Sequence, residues 1–221
     1  MILEKAARNE KEKKLNYDLL SVRDIYDFAQ IVELDEIRTI IGRQIQYNVA
    51  VSEEGLNKDY GANIGSVLLG SYGNDVKIRA KAKAAAGSDA RMNGSSLPVV
   101  INSGSGHQGM AVSLPIIEYA KDLNSDEEQL YRALVISDLT AIHQKTGIGY
   151  LSAYCGAVSA GAAAGAGILG YEMYVHGQQF HDGEGVVSHN VEDTIRNIGR
   201  LGKDGMRQTD KEILCMMTCV D

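Results

Sequence analysis

The chain has 221 residues, of which 44% are hydrophobic and 23% charged, with a formal net charge of −7. That length accommodates one sizeable core, and the acidic balance excludes a general nucleic-acid surface, which needs an excess of Lys and Arg. Three cysteines cannot complete a disulfide framework, so a reducing, cytoplasmic setting is expected, and with no Trp and two Phe the core falls to Ile, Leu, Val and Ala.

Residues 1–20 read as an exposed lead-in, charged from the start and without the apolar run of a signal peptide. Ser21 then opens an amphipathic helix with Val22, Ile25, Phe28, Ala29 and Val32 on one face. A second helix follows from about Asp35, carried by Ile37, Ile40, Ile41 and Ile45, with a stop near Glu53-Glu54-Gly55. Asp75 to Ala86 reads as a short helix. The stretches Gly70–Asp75 and Gly87–Gly94 read as glycine loops, and Leu97–Ile101 is the best strand signal.

The segment Asn102–Gly109 reads as a third glycine loop leading into a helix. Ser113-Leu114-Pro115 marks that helix's start, since Pro is tolerated in a first turn. Ser125-Asp126-Glu127-Glu128 reads as a capping box whose helix runs to about Lys145. Residues 150–176 read as one or two small-residue helices, and Asp193–Ile198 and Thr209–Met217 as a final pair capped at Thr209. The uncharged stretch 146–171 is long enough to span a bilayer, but Gly, Ala, Ser and Tyr dominate it, so no membrane crossing is expected. The sum is a mainly α, single helical domain over residues 21–221.

Chemistry has several places to sit. Ser103, Gly104, Ser105, Gly106 and His107 precede a helix, where backbone N–H groups and hydroxyls can cradle a carboxylate or phosphate; the bland alternative is a tight turn. Asp89 and Arg91 flank one Ala; Arg91 suits a carboxylate clamp, and an internal ion pair is the alternative. His107 is a candidate acid/base or ligand, or simply solvated. Cys155, within an uncharged Gly/Ala run, reads either as a metal or cluster ligand or as a small buried hydrophobe. His176, His181, Asp182, Glu184 and His189 offer a hard-metal set, and Cys215 and Cys219 share one helical face.

In order, Ala84–Gly94, Leu97–Gly106, Lys145–Gly149 with Leu151–Ala157, Asn197–Gly202 and Gly205–Asp210 resemble the L-cysteine desulfidases of bacteria and archaea, relatives of the iron–sulfur L-serine dehydratase alpha chain. The resemblance covers most of the chain beyond residue 20. It implies a lyase that uses a [4Fe–4S] cluster and no pyridoxal phosphate. Such an enzyme eliminates the β-substituent of L-cysteine or L-serine to give pyruvate, ammonia and sulfide or water. It implies Cys155 as a cluster ligand, and a homo-oligomer or a complementing subunit as partner.

Two departures accompany the likeness. The family's Gly-Cys-Thr-Glu-Pro and Cys-Asp-Gly-Ala-Lys segments have no counterpart here, and His107 stands where Asn is usual. A shortened member is therefore expected, with a non-catalytic protein that binds small carboxylates or serves assembly as the alternative. A metal-dependent hydrolase using His176, His181 and His189 is a third reading.

Overall fold

The structure, a computed structural model, describes residues 19–149 and 188–218. Most of the lead-in and the Gly/Ala run with Cys155, His176, His181, Asp182 and Glu184 lie outside the described residues, as does Cys219. The described residues form eight α-helices: α1 Val22–Ile31, α2 Leu34–Asn57, α3 Ile64–Tyr72, α4 Val76–Met92, α5 Gly106–Asp122, α6 Glu127–Ile148, α7 Val191–Arg200 and α8 Arg207–Thr218. A π-helical turn, Leu201–Gly205, joins the last two. Among the described residues there is no strand, and no helix is long and apolar enough to cross a membrane.

Local chemistry sets many of the boundaries. Ser21 caps α1 by accepting the Asp24 N–H at 3.1 Å, and Asp75 caps α4 by accepting from Lys77 and Ile78. The capping box of α6 closes one residue later than its sequence suggests, between Asp126 and Gln129. Thr209 lies inside α8, which starts at Arg207, and so does not cap it.

Tertiary packing overrides the sequence elsewhere. The Gly87–Gly94 loop is mostly helix, because α4 runs on to Met92. Gly87 serves there as a packing site: a Cβ on it would lie 2.7 Å from Met110 Sδ. Helix α5 begins at Gly106, well before Pro115, which sits in its interior. The proline removes one backbone donor, a cost of about 3 kcal/mol. Burial of Val112, Leu114, Ile116 and Ile117 around it offsets that. Leu97–Ile101 makes no ladder; the Val100 N–H donates instead to Asn48 Oδ1 at 2.9 Å. Helix α3, without an evident local signal, takes its cap from afar: its Ile64 N–H donates to Asp89 Oδ2 at 2.8 Å.

One apolar cluster joins α1, α2, α5 and α6 through Ala29, Ile41, Ile116, Ile117, Tyr131, Leu134 and Val135. A second joins α2, α4 and α5 through Val51, Ala90, Met110 and Leu114. Small residues bring α4 close to its neighbours: Cβ atoms on Gly55 and Gly65 would stand 2.1 Å and 2.6 Å from the carbonyl oxygens of Ala86 and Ala82. Helices α2, α5 and α6 meet so that the Val99–Ser105 segment is laid across them, and this placement builds the site.

Candidate functional site

The segment before α5 is held from below by one buried side chain. Asn48 of α2, fully buried, donates through Nδ2 to Gly109 O at 3.2 Å and Ser113 Oγ at 3.0 Å, while its Oδ1 accepts the Val100 N–H. Gly109 is pressed against the same segment, where a Cβ would stand 1.9 Å from Val100 O. The chain then reverses at Asn102–Ser105, whose backbones exchange hydrogen bonds of 3.1 Å and 3.0 Å. Ser103 and Gly104 both take positive φ, 49° and 84°, the pair a type I′ turn requires. A left-handed serine is unfavourable by about 1 kcal/mol, and this one stands at the mouth of a cavity.

That cavity, about 430 Å³, is lined by Ile101, Ser103, Gly104, Ile142, Lys145, Thr146 and Gly149. The Gly104 N–H takes no partner among the described residues. Lys145 is half-buried, and no carboxylate pairs with it among the described residues. A backbone amide and an ammonium, neither paired among the described residues, line one small space and form an anion-receptive arrangement. The spacing Asp138, Ile142, Lys145 places these three on one face of α6, beneath the turn. Asp138 Oδ1 accepts from Gln44 Nε2 at 2.9 Å and Asn102 Nδ2 at 3.1 Å. Burial pushes the Asp138 carboxyl up to about 6, against the opposing effect of those two hydrogen bonds.

Four enclosed side-chain atoms lack partners among the described residues: Gln44 Oε1, His107 Nε2, Gln108 Oε1 and Gln144 Oε1. They belong to α2, the first turn of α5 and the C-terminal half of α6, the elements that meet around the turn. Ser105 caps α5 by accepting the Gln108 N–H at 3.4 Å, and Gly106 is covered by Arg91, whose Nε would lie 2.4 Å from an added Cβ.

The structure thus gathers Ser103, Gly104, Ser105, Gly106, His107 and Arg91 at one end of α5. Asp89 lies apart, capping α3, and no ion pair joins it to Arg91. Sequence reasoning missed Lys145, Asp138 and Asn48 as site residues; the heptad-like spacing on α6 was the available signal for the first two. Cys155 lies outside the described residues. Cys215 is exposed on α8, and His189 faces Asp193 at 3.4 Å.

Comparison with known sequences decides the family. The model for the serine dehydratase alpha chain matches residues 1–172. The chain belongs to this family. A UPF0597 protein of Desulfitobacterium hafniense is 49% identical over 245 residues, covering 90% of this chain and 57% of the relative. A UPF0597 protein of Lachnoclostridium phytofermentans is 45% identical over 93% of this chain and 60% of its own. One of Fusobacterium nucleatum is 38% identical over 90% and 59%. The chain therefore spans about three fifths of the length of these relatives. No solved structure matches it.

The family resemblance implies an iron–sulfur cluster, which several converging thiolates must hold. Among the described residues no three His, Cys, Asp or Glu side chains converge. The described residues do not fit such a cluster.

Proposed function

We propose that this domain recognises the α-carboxylate of a small L-amino acid at the Ser103–Gly104 turn, as the substrate-binding part of a serine-dehydratase-type lyase. The observation that carries this is the half-buried Lys145, without a carboxylate partner among the described residues, lining the same cavity as the left-handed turn. The Lys145 ammonium supplies charge and the Gly104 N–H a directed donor, the combination a carboxylate takes, while the Ser103 hydroxyl donates to Asn102 Oδ1 and so fixes the turn. Arg91, above Gly106, adds a second cation at the α5 end. L-serine and L-cysteine share carboxylate and amine and differ at one β-atom, so the turn serves both.

The reaction proposed from family membership removes the α-proton and expels the β-hydroxyl as water or the β-thiol as sulfide. The resulting enamine tautomerises to an imine, and water converts that to pyruvate and ammonia. The chain's own residues hold the carboxylate end; Cys155, outside the described residues, is the cluster ligand that the family resemblance implies. The second reading is carboxylate binding without elimination, which needs only the turn and Lys145 that line one cavity.

Anaerobically purified protein, supplied with iron and sulfide, should release pyruvate from L-serine or L-cysteine, and Cys155→Ser should abolish this. Protein that binds L-serine yet forms no pyruvate would leave the binding reading alone. Protein that does neither would remove both.

A further inference from the structure

The turn is suspended from α6 through a single side chain. Asn102, only 5% exposed, uses every polar group it has. Its N–H and C=O engage Ser105, its Oδ1 accepts from Ser103 Oγ at 2.8 Å, and its Nδ2 donates to Asp138 O and Asp138 Oδ1, both at 3.1 Å. Asp138 thereby connects to the serine hydroxyl at the cavity through one intermediary. Gln44, 2% exposed, braces the same carboxylate oxygen from α2.

We propose that Asp138 is a positioning residue for the carboxylate site, holding the Asn102–Ser105 turn through Asn102, so that the shape of the turn follows the protonation of Asp138. The inference rests on the carboxylate reading of the turn for its functional meaning, but its structural core is independent of any ligand.

The chemistry of the switch is contained in the cluster. Ionised Asp138 accepts two hydrogen bonds on one oxygen. Protonation replaces a strong acceptor with a donor and weakens the bond that fixes Asn102. The enclosed Gln44 Oε1, without a partner among the described residues, is the acceptor that the new O–H reaches once the Gln44 amide turns over. The ionised state is therefore the one that holds the turn taut.

Charges on neighbouring elements do not account for this behaviour. Helix α2 and the turn face Asp138 with Gln44 and Asn102, both neutral. On α7, Glu192 is engaged by His143 at 2.9 Å, and α1 meets α6 through carbonyls that accept from Arg132. Lys203 and Asp204 of the π turn line the separate cavity that also contains His143. On α6 itself, Lys145 stands two turns away. His107 lies in the first turn of α5, close to the turn, and serves as the control position.

The sequence allows a selective probe. Ser103–Gly104 and Ser105–Gly106 are its only Ser–Gly steps. Protein carrying carbonyl-13C serine and 15N glycine therefore yields two carbonyl-filtered amide signals, both in the region in question. Followed between about pH 5 and pH 8, the Gly104 signal should move in one step centred near 6. Asp138→Asn, whose side-chain oxygen keeps both acceptances, should abolish the step. Gln44→Met, which removes a hydrogen bond to the ionised form, should move it to higher pH. His107→Asn should leave it in place.

A flat Gly104 signal in the wild type overturns the proposal, as does a step that survives in Asp138→Asn or vanishes in His107→Asn. Adding L-serine to the same sample tests the carboxylate reading separately. If the pH step is present but L-serine moves neither signal, the coupling stands and the substrate assignment falls. If L-serine moves the signals but no pH step exists, the reverse holds.

Discussion

Replacing Asp138 by Asn should make the protein more stable at neutral pH and not at acid pH. The folded-state carboxyl titrates at about 6 against an ordinary value of 3.8. A group whose folded pKa is raised binds its proton more tightly in the native state, so its contribution to stability falls as pH rises through that interval and is constant above it. At about 1.36 kcal/mol per pKa unit, the ionised carboxyl costs the native state on the order of 3 kcal/mol. Because the residue retains some contact with solvent, about 2 kcal/mol is the better expectation. Asn keeps an oxygen for Gln44 and Asn102, and its amide can donate to Gln44 Oε1, which has no partner among the described residues. Equilibrium urea unfolding followed by circular dichroism, at about pH 4 and about pH 7.5, should show the stability of the variant relative to wild type improving by about 2 kcal/mol between the two. An unchanged difference, or one that shrinks as pH rises, would refute the assignment of a desolvated, unpaired carboxylate.

Other outcomes follow from the same contacts. Asn48→Ala leaves the part-buried Val100 N–H without its acceptor and removes three further bonds, so urea unfolding should show a loss of about 2–3 kcal/mol. Gly109→Ala drives a methyl group into a backbone carbonyl and should cost at least as much, with the Gly104 amide signal displaced. Arg132→Ala frees the last carbonyls of α1, Ala29 O and Gln30 O; a loss of about 1–2 kcal/mol in thermal unfolding is expected. Lys145→Met removes a half-buried charge that has no carboxylate partner among the described residues, so the thermal midpoint should hold or rise while affinity for L-serine falls about tenfold or more.

The helical class was legible because its signals are local. Ser21, Asp75 and Asp126 cap their helices within three residues, and the apolar spacing of α1 and α2 repeats at helical period. What was not legible depends on distant partners. Helix α3 relies on Asp89, far along the chain, and Gly87 stays helical because Met110 packs where a side chain would otherwise stand. Pro115 misplaced the start of α5 because burial on both sides outweighs its missing donor. The turn at Ser103–Gly104 could be read from its glycines, whereas Lys145 and Asp138 become site residues only where α6 passes beneath that turn. Their spacing on the helix was visible, but nothing in it indicates which segment lies above.

Carboxylate recognition at the turn is tested most directly by calorimetric titration of the protein with L-serine and with L-serinamide, which keeps the amine and hydroxyl but lacks the charged carboxylate. L-serine should bind the wild type, L-serinamide should not, and Lys145→Met should lose L-serine binding while remaining folded. Equal binding of the two compounds, or L-serine binding undiminished in Lys145→Met, would contradict a carboxylate site built from Ser103, Gly104 and Lys145.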